Sequence, residues 1–123
     1  MKAIDLYSGI GGWALGLKMT GIDVIAGYEF WEPAIETYNA NFGMDHSPVN
    51  LRDTDPLKLH NPNDIDIIVG SPPCTQFSFA NRGGSGDIDD GLIDIRVFLD
   101  FVKKLKPKYW AMENVPRVAG ILN

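Results

Sequence analysis

Ile65-Asp66-Ile67-Ile68-Val69-Gly70-Ser71-Pro72-Pro73-Cys74 is the stretch on which the fold turns: an apolar, β-branched run that stops at a serine and two prolines. Such a run reads as a strand covered on both faces, and the prolines end it because they bring no N–H to a ladder. The only cysteine of the chain therefore falls where the strand ends. Ligands of open α/β sheets bind outside the carboxyl ends of the strands, so a thiol at that place stands where a nucleophile would. Two further strand-like runs end in an acid. Val24-Ile25-Ala26-Gly27-Tyr28 leads to Glu29, and Tyr109-Trp110-Ala111-Met112 leads to Glu113.

Strand and helix alternate outward from that stretch. Residues 3–7 predict a short buried strand, followed by the turn Ser8-Gly9-Ile10-Gly11-Gly12 and a helix over 13–19. A strand over 24–29 precedes a helix over 32–42, with Pro33 in its first turn, Ala34, Tyr38 and Phe42 on one face and Gly43 as its stop. Residues 44–63 are polar and carry three prolines, which predicts loop around a short extended piece near 49–52. Residues 79–91 hold four glycines and three aspartates, the composition of a mobile surface loop. A helix over 92–105 follows, with Ile95, Leu99 and Val102 on one face and Lys103, Lys104 and Lys106 suited to the dipole at its end. The strand over 109–113 closes the pattern. Repeated βα units of this length predict a doubly wound, mostly parallel α/β sheet covered on both faces.

The chain has 123 residues, 45% of them hydrophobic, enough for one domain with its own core. One cysteine leaves no internal disulfide and no cysteine-based zinc site, so a reducing compartment is expected and no metal is assigned. Asp5 and the glycines after it interrupt any signal-peptide core, and no apolar run reaches the length of a membrane span. The expectation is a cytoplasmic protein without a membrane partner. A net charge of −5 argues against this segment alone gripping nucleic acid, since phosphate binding rests on a basic surface.

Gly9-Ile10-Gly11-Gly12-Trp13-Ala14 fits G-x-G-x-x-G/A between a strand and a helix, and Glu29 lies 20 positions after Gly9. Glycines let a ligand approach the backbone, and the carboxylate accepts ribose hydroxyls. The pattern names an adenosine-type ligand and leaves a nicotinamide dehydrogenase and an S-adenosylmethionine enzyme level. The thiol separates them. Hydride transfer needs none, whereas methylating a ring carbon needs that carbon made electron-rich by covalent attack next to it. One Cys, one acid and one adenosylmethionine pocket are the required parts. Cys74, Glu113 and the Gly9 turn supply them.

These residues resemble the cytosine-C5 DNA methyltransferases. Asp5-Leu6-Tyr7-Ser8-Gly9-Ile10-Gly11-Gly12 is similar to the family's first motif, Ser71-Pro72-Pro73-Cys74-Thr75-Gln76-Phe77-Ser78 to its nucleophile motif and Glu113-Asn114-Val115 to its acid motif, in the family's order. The resemblance implies a Rossmann-like class I methyltransferase fold with S-adenosylmethionine as cofactor and restriction–modification as the setting. By it, Tyr7, Ser8, Gly9, Gly11 and Gly12 line the methionine part of the site, Glu29 holds the ribose, Phe30 lies beside the adenine, and Asp53 and Thr54 contact its edge and face. Cys74 is the nucleophile and Glu113 the partner of the cytosine N3. Asp89-Asp90-Gly91-Leu92-Ile93-Asp94-Ile95 keeps only fragments of the family's Asp-x-Arg-Gly-x-Leu-Phe pattern. The family's later catalytic motifs and target recognition domain have no counterpart among these 123 residues. The expected protein is thus the N-terminal part of the catalytic domain, its fold incomplete and inactive alone. It would act on double-stranded DNA with a C-terminal half or complementary subunit. A tRNA cytosine-C5 methyltransferase and a non-catalytic remnant that serves as a binding partner remain the alternatives.

Overall fold

The computed structural model describes residues 1–73 and 92–114. Four strands, β1 (Lys2–Leu6), β2 (Asp23–Tyr28), β3 (Ile67–Gly70) and β4 (Tyr109–Met112), pair in parallel in the order β2-β1-β3-β4. Between them run α1 (Gly12–Met19), α2 (Glu32–Phe42), a 3-10 turn (Leu51–Asp53), the single-turn helix α3 (Pro56–Leu59) and α4 (Ile93–Leu105). The expected loop over 79–91 and Cys74 lie outside the described residues.

The central strand shows why the sheet is doubly wound. Side chains alternate along a strand, so β1, with the buried apolar side chains of Ala3, Ile4 and Leu6 at both odd and even positions, must be covered on both faces. On one face Ala3, with Val24, Ile67 and Val69, packs with Ala14, Ile35 and Tyr38 of α1 and α2. On the other, Ile4, Leu6 and Ile68 pack with Phe98, Phe101 and Leu105 of α4. Phe98 and Phe101 are at most 1% exposed, and burying a side chain of that size stabilises by about 1.5–3 kcal/mol. The sheet tolerates no side chain at Gly70, where a Cβ would run into the Leu6 carbonyl oxygen.

Three local expectations are corrected. The piece near 49–52 is extended only up to Asn50, whose side chain accepts the Arg52 N–H at 3.1 Å and winds the chain from Leu51 into the 3-10 turn. Helix α3 arises inside the stretch read as loop, where Asp55 accepts the Leu57 N–H at 3.1 Å and Pro56 supplies a pre-set φ in the first turn. The buried face of α4 is Asp94, Ile95, Phe98, Phe101 and Leu105, so Leu99 stands 36% exposed. Two phenylalanines outweigh the aliphatic stripe because they bury more area.

From β1 the chain runs to β2 on one side, then returns to β3 on the other. The strand order therefore reverses between β1 and β3, and the crevice at their carboxyl ends is where an open α/β sheet binds its ligand.

Candidate active site

At the end of β1 the backbone leaves the sheet through left-handed residues: Tyr7 at φ +53°, Gly9 at +56° and Gly11 at +105°. For Tyr7 this costs about 1–2 kcal/mol and needs a compensating contact. The turn is clamped from β2. Ser8 donates its N–H to the Tyr28 carbonyl at 3.0 Å. Glu29 accepts the Gly9 N–H on Oε1 at 3.0 Å and the Trp31 N–H on Oε2 at 2.8 Å, joining the glycine turn to the entry of α2. The glycines divide the work. A Cβ on Gly11 would strike the Phe42 ring, whereas one on Gly9 or Gly12 would meet nothing within 4 Å among the described residues.

The open space beyond Gly9 and Gly12 is a cavity of about 840 Å³, lined by Tyr7, Ser8, Gly9, Gly12, Trp13, Glu29, Ser71 and Glu113 among others. A second cavity of about 400 Å³ shares Tyr7, Glu29 and Ser71 with it and continues past Phe30, Trp31, Asn50, Arg52 and Asp94. Across the larger cavity the Trp13 Nε1–H donates to Ser71 Oγ at 3.1 Å, and the Ser71 hydroxyl donates to Glu113 Oε2 at 3.4 Å. Glu113 extends β4 by one more bond, its N–H reaching the Gly70 carbonyl at 3.0 Å, and Asn114 Nδ2 donates to the Pro72 carbonyl at 3.2 Å. The ends of β3 and β4 are thereby tied side by side.

Two buried carboxyls flank Tyr7. Asp5 is fully buried, and neither of its oxygens has a hydrogen-bond partner among the described residues. Burial pushes its carboxyl up to about 7; the Ala14 N–H, directed at it but short of a full hydrogen bond, offsets part of this, and Glu29 adds to the rise. Asp94 behaves oppositely. Burial would raise it, but Arg52 and the Tyr7 hydroxyl outweigh that and hold it below the usual carboxylate range. The Tyr7 hydroxyl donates to Asp94 Oδ1 at 2.8 Å, and Arg52 grips the same carboxylate with Nε at 2.9 Å and a terminal nitrogen at 2.8 Å. Burial, then Asp94, raises Tyr7 far above the usual phenol range.

Of the residues singled out from sequence, Tyr7, Ser8, Gly9, Gly12, Glu29 and Glu113 line the larger cavity and Phe30 the smaller. Gly11 is buried behind the turn against α2. Asp53 and Thr54 line neither: Asp53 Oδ2 accepts from Asn50 Nδ2 at 3.0 Å, and Thr54 faces a separate cleft beside Arg96. Asn50 and Arg52 line the wall of the smaller cavity instead. Trp13 and Trp31 also line the cavities, and Trp31 is 68% exposed. Asp94 was visible only as a break in a motif. Its signal is a charge on the apolar stripe of Phe98, Phe101 and Leu105, which requires a partner.

A parallel sheet that reverses order at an acid-clamped glycine turn defines a Rossmann-like α/β domain for a nucleoside-bearing ligand. The Entamoeba histolytica methyltransferase EhMeth shares that fold with a TM-score of 0.73 over 98% of this chain and 39% of its own, at 23% identity. The chain belongs to the C-5 cytosine-specific DNA methylase family, whose description matches residues 1–121. Among its relatives, the type II methyltransferase M.HindV of Haemophilus influenzae is 38% identical over 96% of this chain and 38% of its own length. Type II methyltransferase M.HgiGI of Herpetosiphon aurantiacus is 38% identical over 95% of this chain and 92% of its own. The chain thus spans little more than a third of M.HindV. S-adenosylmethionine is the cofactor of this family. The cavity suits it, with open space over Gly9 and Gly12 for the backbone approach and the Glu29 carboxylate beside them. No described helix is long and apolar enough to cross a membrane.

Proposed function

We propose that this chain carries the cofactor pocket and the reacting groups of a DNA (cytosine-5-)-methyltransferase. The observation that carries the reading is the shared cavity at the β1/β3 crevice, where the Gly9 turn, Glu29 and Glu113 line one space. S-adenosylmethionine, when bound, supplies an electrophilic methyl group. Gly9 and Gly12 admit it to the backbone, and the lone pairs of Glu29 not used by the Gly9 and Trp31 N–H groups accept ribose hydroxyls. Phe30 and Trp31 offer aromatic faces to the adenine. Asp53 and Thr54, beside Asn50 and Arg52, are the second-line candidates for its edge.

Cys74 is the nucleophile of the reading. Its thiolate adds to C6 of a cytosine taken out of the base stack, and the ring electrons pass to C5. Glu113 gives a proton to N3 as the ring becomes an enamine. Carbon C5 would take the methyl group as the sulfonium S–CH3 bond breaks and the thioether S-adenosylhomocysteine leaves; a base would then take the C5 proton, the C6–S bond would break to return the thiolate, and N3 would give its proton back to Glu113. The Ser71 hydroxyl, between Trp13 and Glu113, fixes the acid at the cavity mouth. Turnover and DNA binding draw on a region equivalent to the rest of the length of M.HindV, in the same polypeptide or a second one. That region supplies the basic surface which a chain of net charge −5 lacks.

Trapping on DNA that carries 5-fluorocytosine tests the reading. Fluorine at C5 blocks the final proton loss, so the complete protein with S-adenosylmethionine should yield a covalent adduct, mapped by mass spectrometry to Cys74. An adduct on another residue, or none with active protein, overturns it.

A further inference from the structure

Asp94 poses the question: its side chain is 8% exposed, on the face of α4 that also buries Ile95, Phe98 and Phe101. A carboxylate held there is costly unless every lone pair is used. It is met from two distant segments. Arg52, 42 residues earlier, presents its fork to both oxygens, and the Tyr7 hydroxyl, 87 residues earlier, takes a second lone pair of Oδ1. All three line the smaller cavity. Tyr7 also lines the larger one and opens the glycine turn from a left-handed backbone, so whatever fixes its ring also fixes where the turn begins. Arg52 lies in the 3-10 turn capped by Asn50, and Asn50 lines the smaller cavity together with Phe30 and Trp31.

We infer that Tyr7, Asp94 and Arg52 form a clasp that sets the distance between the glycine turn and the wall carrying Asn50, and so tunes the site for the nucleoside end of its ligand. The inference rests on the proposed adenosine-type ligand. Arg52 and Asp94 are positioning residues, acting through Tyr7 and Asn50. A bidentate guanidinium–carboxylate pair fixes orientation as well as distance, which a lysine cannot do.

The test uses S-adenosylhomocysteine and adenosine as calorimetric probes on the wild type, Tyr7→Phe, Arg52→Lys and the double variant, with urea unfolding alongside. Tyr7→Phe removes one hydroxyl and Arg52→Lys keeps the charge, so Arg52→Lys decides should Tyr7→Phe fold poorly. Each single variant should weaken both probes about tenfold, the loss of one charge-assisted hydrogen bond. The double variant should be no weaker than the worse single, because one clasp is broken twice. Unchanged dissociation constants in folded variants, with only the unfolding midpoint lowered, overturn the clasp and leave the ligand assignment standing. Failure of the wild type to bind either probe overturns the ligand assignment and the clasp with it.

Discussion

Glu29 Oε1 accepts the Gly9 N–H at 3.0 Å, which gives the 20-residue spacing between them a physical meaning. The acid has two tasks, closing the turn and facing the cavity. Glu29→Gln keeps the shape but turns an amide donor toward either the Gly9 or the Trp31 N–H. It should cost about 1–2 kcal/mol in urea unfolding. Calorimetry should show S-adenosylhomocysteine binding weakened tenfold or more, because the ribose acceptor is compromised as well.

Gly9 and Gly11 should respond differently to the same methyl group. Gly11→Ala forces a Cβ into the Phe42 ring at φ +105°, and about 2 kcal/mol or more of stability should be lost. Gly9→Ala meets open space, so its cost is the backbone term of about 1–2 kcal/mol. Its methyl group points where the ligand is proposed to lie. Binding should suffer more in Gly9→Ala, and thermal stability more in Gly11→Ala.

Asp5 predicts a pH profile. Its folded carboxyl is raised to about 7 from an ordinary 3.8, so the folded state holds the proton more tightly than the unfolded chain. The resulting stabilisation is complete below about pH 4 and is lost as pH rises through 7, on the order of 4 kcal/mol at most. His60, lowered by burial, works in the opposite sense and loses stability as pH falls through its ordinary 6.5. Asp5→Asn isolates the first effect. The wild-type-minus-variant difference in unfolding free energy should fall between pH 4 and 7, leaving the variant the more stable at pH 8; a flat difference refutes the assignment.

In the complete protein, Cys74→Ser should abolish methyl transfer, since a hydroxyl is a far weaker nucleophile at neutral pH than a partly ionised thiol. Glu113→Gln should slow it by about 10²-fold or more, because the amide cannot give up a proton to N3. Neither should change S-adenosylhomocysteine affinity more than about twofold. Tritium transfer from labelled cofactor to DNA measures the first pair of effects.

Elements with a strong period were legible from sequence. The apolar runs of β1 to β4 and the Pro33 and Gly43 punctuation of α2 depend on local chemistry, and the structure follows them within a residue or two. The glycine turn and both acids were legible for the same reason, each being a short motif at a strand end. What escaped were contacts made across the fold. Arg52 meets Asp94 only because α4 packs on the 3-10 turn, and nothing near residue 52 announces that. Asn50 and Arg52, rather than Asp53, line the cavity because an Asx cap winds a piece expected to be extended. Trp13 and Trp31 line the cavities though no sequence motif marks them, since an indole can pack by its face and hydrogen-bond by one edge, as Trp13 does to Ser71.

Those two tryptophans have an optical consequence. Of the three indoles, Trp13 lies in the larger cavity with its N–H bound to Ser71, Trp31 stands open in the smaller one, and Trp110 sits apart on β4. Two emitters thus line the proposed ligand cavities, and the third, Trp110, lines neither. Filling either cavity should shift the emission of one indole without the other, so intrinsic fluorescence alone can tell which half of the crevice a ligand fragment occupies.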